Sequence, residues 1–131
     1  MNFQKAVRML AWNHAITRTA LAAGLLAAPS TVGRSWLGDG IDTGGGDVAL
    51  RALAVRDLVL GVGTLSALGS KAPVRRWFQL GVAVEIVELA AIKRRKRELG
   101  PAVGAWTAVT AMGAVGGAMV ALAITDDQEP T

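Results

Sequence analysis

The apolar and polar positions along the chain fall into four long apolar stretches, separated by short polar or glycine-rich ones. The last, Ala102 to Ile124 (AVGAWTAVTAMGAVGGAMVALAI), has 23 residues without a charge, enough to cross a hydrocarbon core of about 30 Å with some tilt. The second covers 48–68 and holds Arg51, Arg56 and Asp57; the third covers 74–92 and holds Glu85 and Glu88. The first is the shortest: only 15 residues, TALAAGLLAAPSTVG, separate Arg18 from Arg34, and Pro29 interrupts them. It reaches a spanning length, over 11–33, if its helix begins before Arg18 and that side chain snorkels to the interface. The rival interpretation is a secretory signal peptide, against which the 18 residues up to Arg18 make a long basic leader.

The connections punctuate this pattern. GDGIDTGGGD (38–47) is rich in Gly and Asp, so 34–47 is expected to be a flexible connection rather than helix interior. Gly69 to Pro73 predicts a tight turn, and Gly100 with Pro101 ends one helix and starts the next. The acidic tail 125–131 is expected to be disordered. The fold class expected is all-α, a single integral membrane domain built as a four-helix up-down bundle.

Composition agrees with that outline. Apolar residues make up 52% and charged residues 18% of the chain, against about 25% charged in an ordinary soluble domain. The mean hydropathy is +0.40, diluted by Gly, Ala and clustered basic residues. With no cysteine, disulfides, thiolate metal sites and cysteine nucleophiles are excluded. The net charge of +4 lacks the basic–aromatic interleaving of a nucleic-acid surface, so no nucleic-acid partner is expected.

The basic residues instead have topological meaning. Lys93, Arg94, Arg95, Lys96 and Arg97 follow the third stretch directly, which predicts a cytoplasmic loop able to meet anionic lipid head groups. In a four-span arrangement Lys5, Arg8, Arg18, Lys71, Arg75 and Arg76 fall on the opposite side, six against the seven contributed by Arg34, Arg51 and the cluster. The expected orientation has the cluster inside and both termini outside. Trp12, Trp36, Trp77 and Trp106 fall near expected helix ends, as interfacial anchors do.

The charges inside apolar stretches demand partners. A central Arg or Asp costs ~2.5–3.5 kcal/mol on insertion scales, while each Leu or Val returns ~0.3–0.6. The ten Leu and Val residues of 48–68 therefore offset roughly 5 kcal/mol of the roughly 6 that Arg56 and Asp57 cost. Neighbours on a helix point ~100° apart, so Arg56 and Asp57 are not expected to pair with each other. A turn centred near residue 71 brings Arg56 level with Glu85, and Arg51 near Glu88. Glu85 and Glu88 share a helix face, with Gly81 one turn earlier permitting close approach. The expectation is a charged seam between the second and third helices.

Two small-residue stripes, Ala20, Gly24, Ala28 and Gly113, Gly117, Ala121, favour close helix packing within the bundle or, through the last helix, between copies of the chain. Asp39, Asp42 and Asp47 lack the spacing of a calcium loop, and the single His14 has no partner at metal-ligand spacing, so no metal or cofactor is expected. No nucleophile elbow, phosphate loop or dinucleotide fingerprint occurs, and no enzyme is expected.

The pattern LAAGLLAAP (21–29), a loop, then RALAVRDLVLG (51–61) resembles small bacterial integral membrane proteins grouped as domain of unknown function 4267. The likeness lies in the small-residue first helix ending in Pro29 and in Arg56, Asp57 and Gly61 of the second. It implies a multi-span membrane protein and brings no activity or site. The function expected is a non-enzymatic accessory or structural component of the cell membrane, alone, as a homo-oligomer or in a larger complex. The alternatives are a small proton- or cation-coupled transporter working as an oligomer with an intramembrane Glu, and a soluble helical binding module.

Overall fold

The computed structural model describes residues 2–126, all of whose regular structure is helical. Helix α1 (Phe3–Ala27) starts under Asn2, whose side-chain oxygen accepts the Gln4 N–H at 2.9 Å. It stops at Ala28 (φ −133°, ψ 60°), because a residue before proline is pushed out of the helical region. Pro29 then opens a short helix, α2 (Pro29–Leu37), in the position where its missing N–H is not needed. The expected span over 11–33 is therefore corrected: the helix starts near the chain's beginning and breaks at Ala28.

The glycine-rich connection is also more ordered than its composition suggests. Gly38–Asp42 forms a 3-10 turn, and Thr43 caps α3 (Gly44–Ser70) by accepting the Gly46 N–H at 3.0 Å. Asp47 lies in the first turn of α3, where a negative charge meets the positive end of the helix dipole. Lys71 closes α3 in the left-handed conformation (φ 57°). After Pro73 comes α4 (Arg75–Arg95), whose last turn carries Lys93, Arg94 and Arg95, favourably placed at the negative dipole end. A 3-10 turn (Lys96–Glu98) and Gly100 lead into α5 (Val103–Ala123).

The four long helices alternate in direction, with α2 a fifth, short helix across one end. α1 packs chiefly on α3, and α4 chiefly on α5. Two apolar cores sit at opposite ends. One gathers Val7, Ala11, Leu68, Phe78, Val120 and Ile124; the other gathers Leu25, Trp36, Ile41, Leu50, Ala54 and Ile92.

Loop contacts hold the ends. The Gly100 and Ala102 N–H groups donate to the carbonyls of Trp36 (2.8 Å) and Ser35 (2.9 Å), tying α2 to the α4–α5 connection. A Cβ on Gly100 would lie 2.6 Å from the Arg34 and Ser35 carbonyl oxygens, so only glycine fits that crossing. At the other end Asp126 accepts the Val74 N–H at 2.7 Å and supplies the cap that α4 lacks locally. Of the tail expected to be disordered, Thr125 and Asp126 are thus docked, and 127–131 lies outside the described residues.

The stripe Ala20, Gly24, Ala28 is not used inside the bundle: all three are exposed, and nothing lies within 4 Å of a Cβ placed on Gly24. The stripe Gly113, Gly117, Ala121 does pack, with a Gly117 Cβ falling 3.1 Å from Val82 of α4. The tryptophans divide as well. Trp12 is exposed, but Trp36 is buried and stacks on Trp106 with ring centroids 5.1 Å apart. Trp36 is drawn inward because α2 folds back over the end of the bundle instead of continuing α1.

Among the described residues, one helix, Val103–Ala123, is long and apolar enough to cross a membrane.

Candidate functional site

Between the two apolar cores lies a layer of charge. Arg18 of α1 pairs with Glu85 of α4 and approaches Asp57 of α3 at 3.8 Å. Asp57 accepts from Arg56 at 3.1 Å, and Arg56 donates to Glu88 at 2.9 Å. Glu88 also accepts the Thr110 hydroxyl of α5 at 3.4 Å. The chain Glu85–Arg18–Asp57–Arg56–Glu88–Thr110 begins on α4, crosses α1 and α3, returns to α4 and ends on α5. Every long helix contributes a member at mid-length.

This arrangement corrects the expected pairings. Arg56 is held by Glu88 and Asp57 rather than by Glu85. The depth argument is right to within one helical turn, but Glu85 is turned toward Arg18 of α1 and Gly113 of α5. Arg56 and Asp57 do pair despite being adjacent, because the long arginine stem sweeps around the helix to reach a carboxylate that points elsewhere. Arg51 is not in the seam at all; it is exposed and bonds Asp47 one turn back at 2.9 Å. The missed member is Arg18, whose side chain is 10% exposed rather than snorkelling. No local signal marked it, because α1 also carries Lys5, Arg8 and His14 and the acid that holds Arg18 lies 67 positions away on α4.

Glycines make the layer possible. A Cβ on Gly81 would lie 3.0 Å from the Arg18 guanidinium, and one on Gly113 would lie 2.6 Å from Glu85 Oε1. Gly81, anticipated as a close-approach residue, thus admits Arg18, and Gly113 gives the carboxylate a place against α5.

A cavity of about 540 Å³ opens above this layer. Its walls are α1 and α5, joined at one end where Gln4 donates to the Ala123 carbonyl at 3.1 Å. Arg18, Asp57, Glu85 and Glu88 line its charged floor, and His14, Trp36 and Trp106 also face it. Its mouth is apolar, with Leu10, Leu21, Val109 and Met112 exposed on the flank of the bundle. Two buried side-chain polar atoms without a hydrogen-bond partner among the described residues, Glu85 Oε2 and Trp36 Nε1, both belong to residues of this cavity.

Outside the layer, Lys93, Arg94, Arg95, Lys96 and Arg97 are all exposed at the end of α4, where Arg95 also pairs with Glu98 at 3.0 Å. Arg34 pairs with Asp42 at 2.8 Å near the same end. The aspartates of the glycine-rich connection are therefore engaged in part with local arginines, and no group of three or more acidic or histidine side chains placed to hold a metal occurs among the described residues.

No family model, no curated protein and no solved structure matches this chain.

Proposed function

We propose that this chain is a multi-pass protein of the cell membrane, of the kind implied by the resemblance to domain of unknown function 4267, with a non-enzymatic accessory or structural role. The observation that carries the reading is its polarity, apolar outside and charged within. Leu122 is 85% exposed, Val87 70% and Val48 67%, while Glu85 is 8% exposed. Water favours the reverse distribution, and large apolar side chains left exposed on all four long helices favour a non-aqueous environment or a partner. In the most apolar window of α5 only 22% of residues are buried inside the bundle, unlike the core helix of a soluble domain.

In this reading the charged α1, α3 and α4 cross the bilayer as a bundle because their ionisable groups satisfy each other. The exposed Lys93–Arg97 cluster meets anionic lipid on the cytoplasmic side. Taking Arg18 out of the topological count leaves five basic residues at one end, Lys5, Arg8, Lys71, Arg75 and Arg76, against seven at the other, which strengthens that orientation. A homo-oligomer or larger membrane complex belongs to the proposal, with the exposed Ala20, Gly24 and Ala28 as a surface for close approach. Alkaline carbonate extraction tests it: the protein is expected in the membrane pellet and to require detergent for release. Quantitative recovery in the supernatant overturns it in favour of a soluble helical module.

A second reading, a small proton- or cation-coupled transporter, is favoured by the cavity that brings Asp57, Glu85 and Glu88 to the flank of the bundle. Purified protein in vesicles would then show flux dependent on a proton or cation gradient, abolished by Glu88→Gln. A structural component shows none.

A further inference from the structure

We infer that the cavity between α1 and α5 is a binding site for a lipophilic organic cation, a protonated amine with an aromatic or apolar body carrying a hydrogen-bond acceptor. The assignment deepens the transporter reading by naming the chemical class of its cation.

Three features converge on this ligand. Charge comes first: Asp57, Glu85 and Glu88 face the two guanidiniums of Arg18 and Arg56, which leaves one negative charge in excess when all three carboxyls are ionised and histidine is neutral. A monovalent cation restores neutrality where an anion would worsen the imbalance, and uncompensated charge in a low-dielectric interior is strongly disfavoured.

Hydrogen bonding comes second. Buried polar atoms are nearly always satisfied, so orphaned ones point to an absent partner. Glu85, 8% exposed, has Oε2 without a donor, and Trp36, 3% exposed, has an indole N–H without an acceptor. One orphan requires a donor such as an ammonium and the other requires an acceptor. Both residues line the same cavity, so a single molecule seated there can serve both once the two side chains rotate toward it.

Shape and polarity come third. At about 540 Å³ the space is of drug-sized class. The stacked Trp36–Trp106 pair offers aromatic surface to a ring or a cation. The mouth between Leu21 and Val109 opens sideways onto the apolar flank, so an amphiphile partitioned in the bilayer reaches the charged floor without passing through water. A bare metal ion fits less well, because no three acidic or histidine side chains are placed to coordinate one among the described residues.

The test uses the full chain purified in detergent and titrated calorimetrically with 4-methoxyphenethylamine. The neutral 2-(4-methoxyphenyl)ethanol and the anionic 4-methoxyphenylacetate serve as counterparts of equal body. The amine is expected to bind at least tenfold more tightly than either. Glu85→Gln and Trp36→Phe each weaken it severalfold. Val109→Trp, which fills the mouth from an exposed position without touching the charges, weakens it at least tenfold and keeps the test valid if E85Q fails to fold. Equal affinity for the three compounds, no binding of the amine, or an affinity that these variants leave unchanged overturns the assignment. Binding without gradient-dependent flux keeps the site and removes the transport reading instead.

Discussion

Arg18 and Glu85 lie 67 positions apart in the chain, yet they form an ion pair in which each side chain is only 10% exposed. The pair joins α1 to α4, two helices that are not sequential among the long ones. It adds a buried charged link between two helix pairs, α1 with α3 and α4 with α5, that α1–α5 and α3–α4 packing also joins. Breaking a buried pair by removing one partner leaves an uncompensated charge, which costs about 3–5 kcal/mol.

Arg18→Ala and Glu85→Ala are each expected to lower thermal stability in detergent strongly, and the double replacement is expected to cost less than their sum. A double-mutant cycle should return a coupling of about 1–3 kcal/mol. The cycle between Arg56 and Glu85 should return a smaller value, because Arg56 is held by Glu88 and Asp57. A larger coupling for Arg56–Glu85 than for Arg18–Glu85 would refute the described connectivity.

Gly113→Leu is expected to destabilise by about 1–3 kcal/mol, since its side chain would have to displace the Glu85 carboxylate or part α4 from α5. Gly24→Leu has open space around its Cβ and should change monomer stability by no more than about 0.5 kcal/mol. Thermal melts of the two variants in the same detergent check the contrast. Similar losses from both would show that the α1 stripe is packed after all.

Asp126→Ala should cost about 1 kcal/mol, the typical worth of a helix cap, because the Val74 N–H loses its 2.7 Å acceptor. Asp126→Asn, which keeps a side-chain oxygen, should recover much of the loss. Hydrogen exchange at Val74 reads the effect directly: protection falls in the alanine variant and returns in the asparagine one. Unchanged exchange in D126A would mean that the cap is not formed.

Under the proposed multi-pass orientation, a reporter enzyme active only outside the cytoplasm, fused after Arg97, should be silent, and the same reporter fused after Lys71 should be active. Replacing Lys93, Arg94, Lys96 and Arg97 with Gln should weaken or invert this pattern, because the remaining basic residues then favour the opposite end. Arg18→Gln should leave orientation unaffected, as its charge is spent inside the bundle and not at an interface. An active reporter after Arg97 in the unaltered chain would reverse the orientation.

Much of the architecture follows from short-range pattern. The helical class, the turn at Lys71–Pro73, the break before Pro29, and the start of α5 just after Gly100–Pro101 rest on local chemistry: apolar length, the steric demand of proline, and the conformational freedom of glycine. The end of α4 does not, since that helix already stops at Arg95, before the Gly100–Pro101 pair. The depth of the charged layer was also legible, because counting residues from a turn locates equal heights on antiparallel helices. Gly81, expected to let the second and third helices approach closely, instead makes room for the Arg18 side chain of α1.

What only the tertiary structure decided is azimuth and partnership. A residue count places Glu85 and Glu88 at nearly one height as Arg56, but the rotation of α4 about its axis and its preference for α5 determine which glutamate faces which helix. That rotation depends on packing along whole faces, Gly113 against Glu85 and Gly117 against Val82, and no local signal encodes it. For the same reason Arg18 could be read as a snorkelling side chain: its alternative, a buried acid on α4, exists only once α1 and α4 are brought together. The cavity is likewise a property of assembly. Its walls are two helices from opposite ends of the chain, and the two orphaned polar atoms that mark it, on Trp36 and Glu85, become neighbours of one space only after α2 folds back over the bundle.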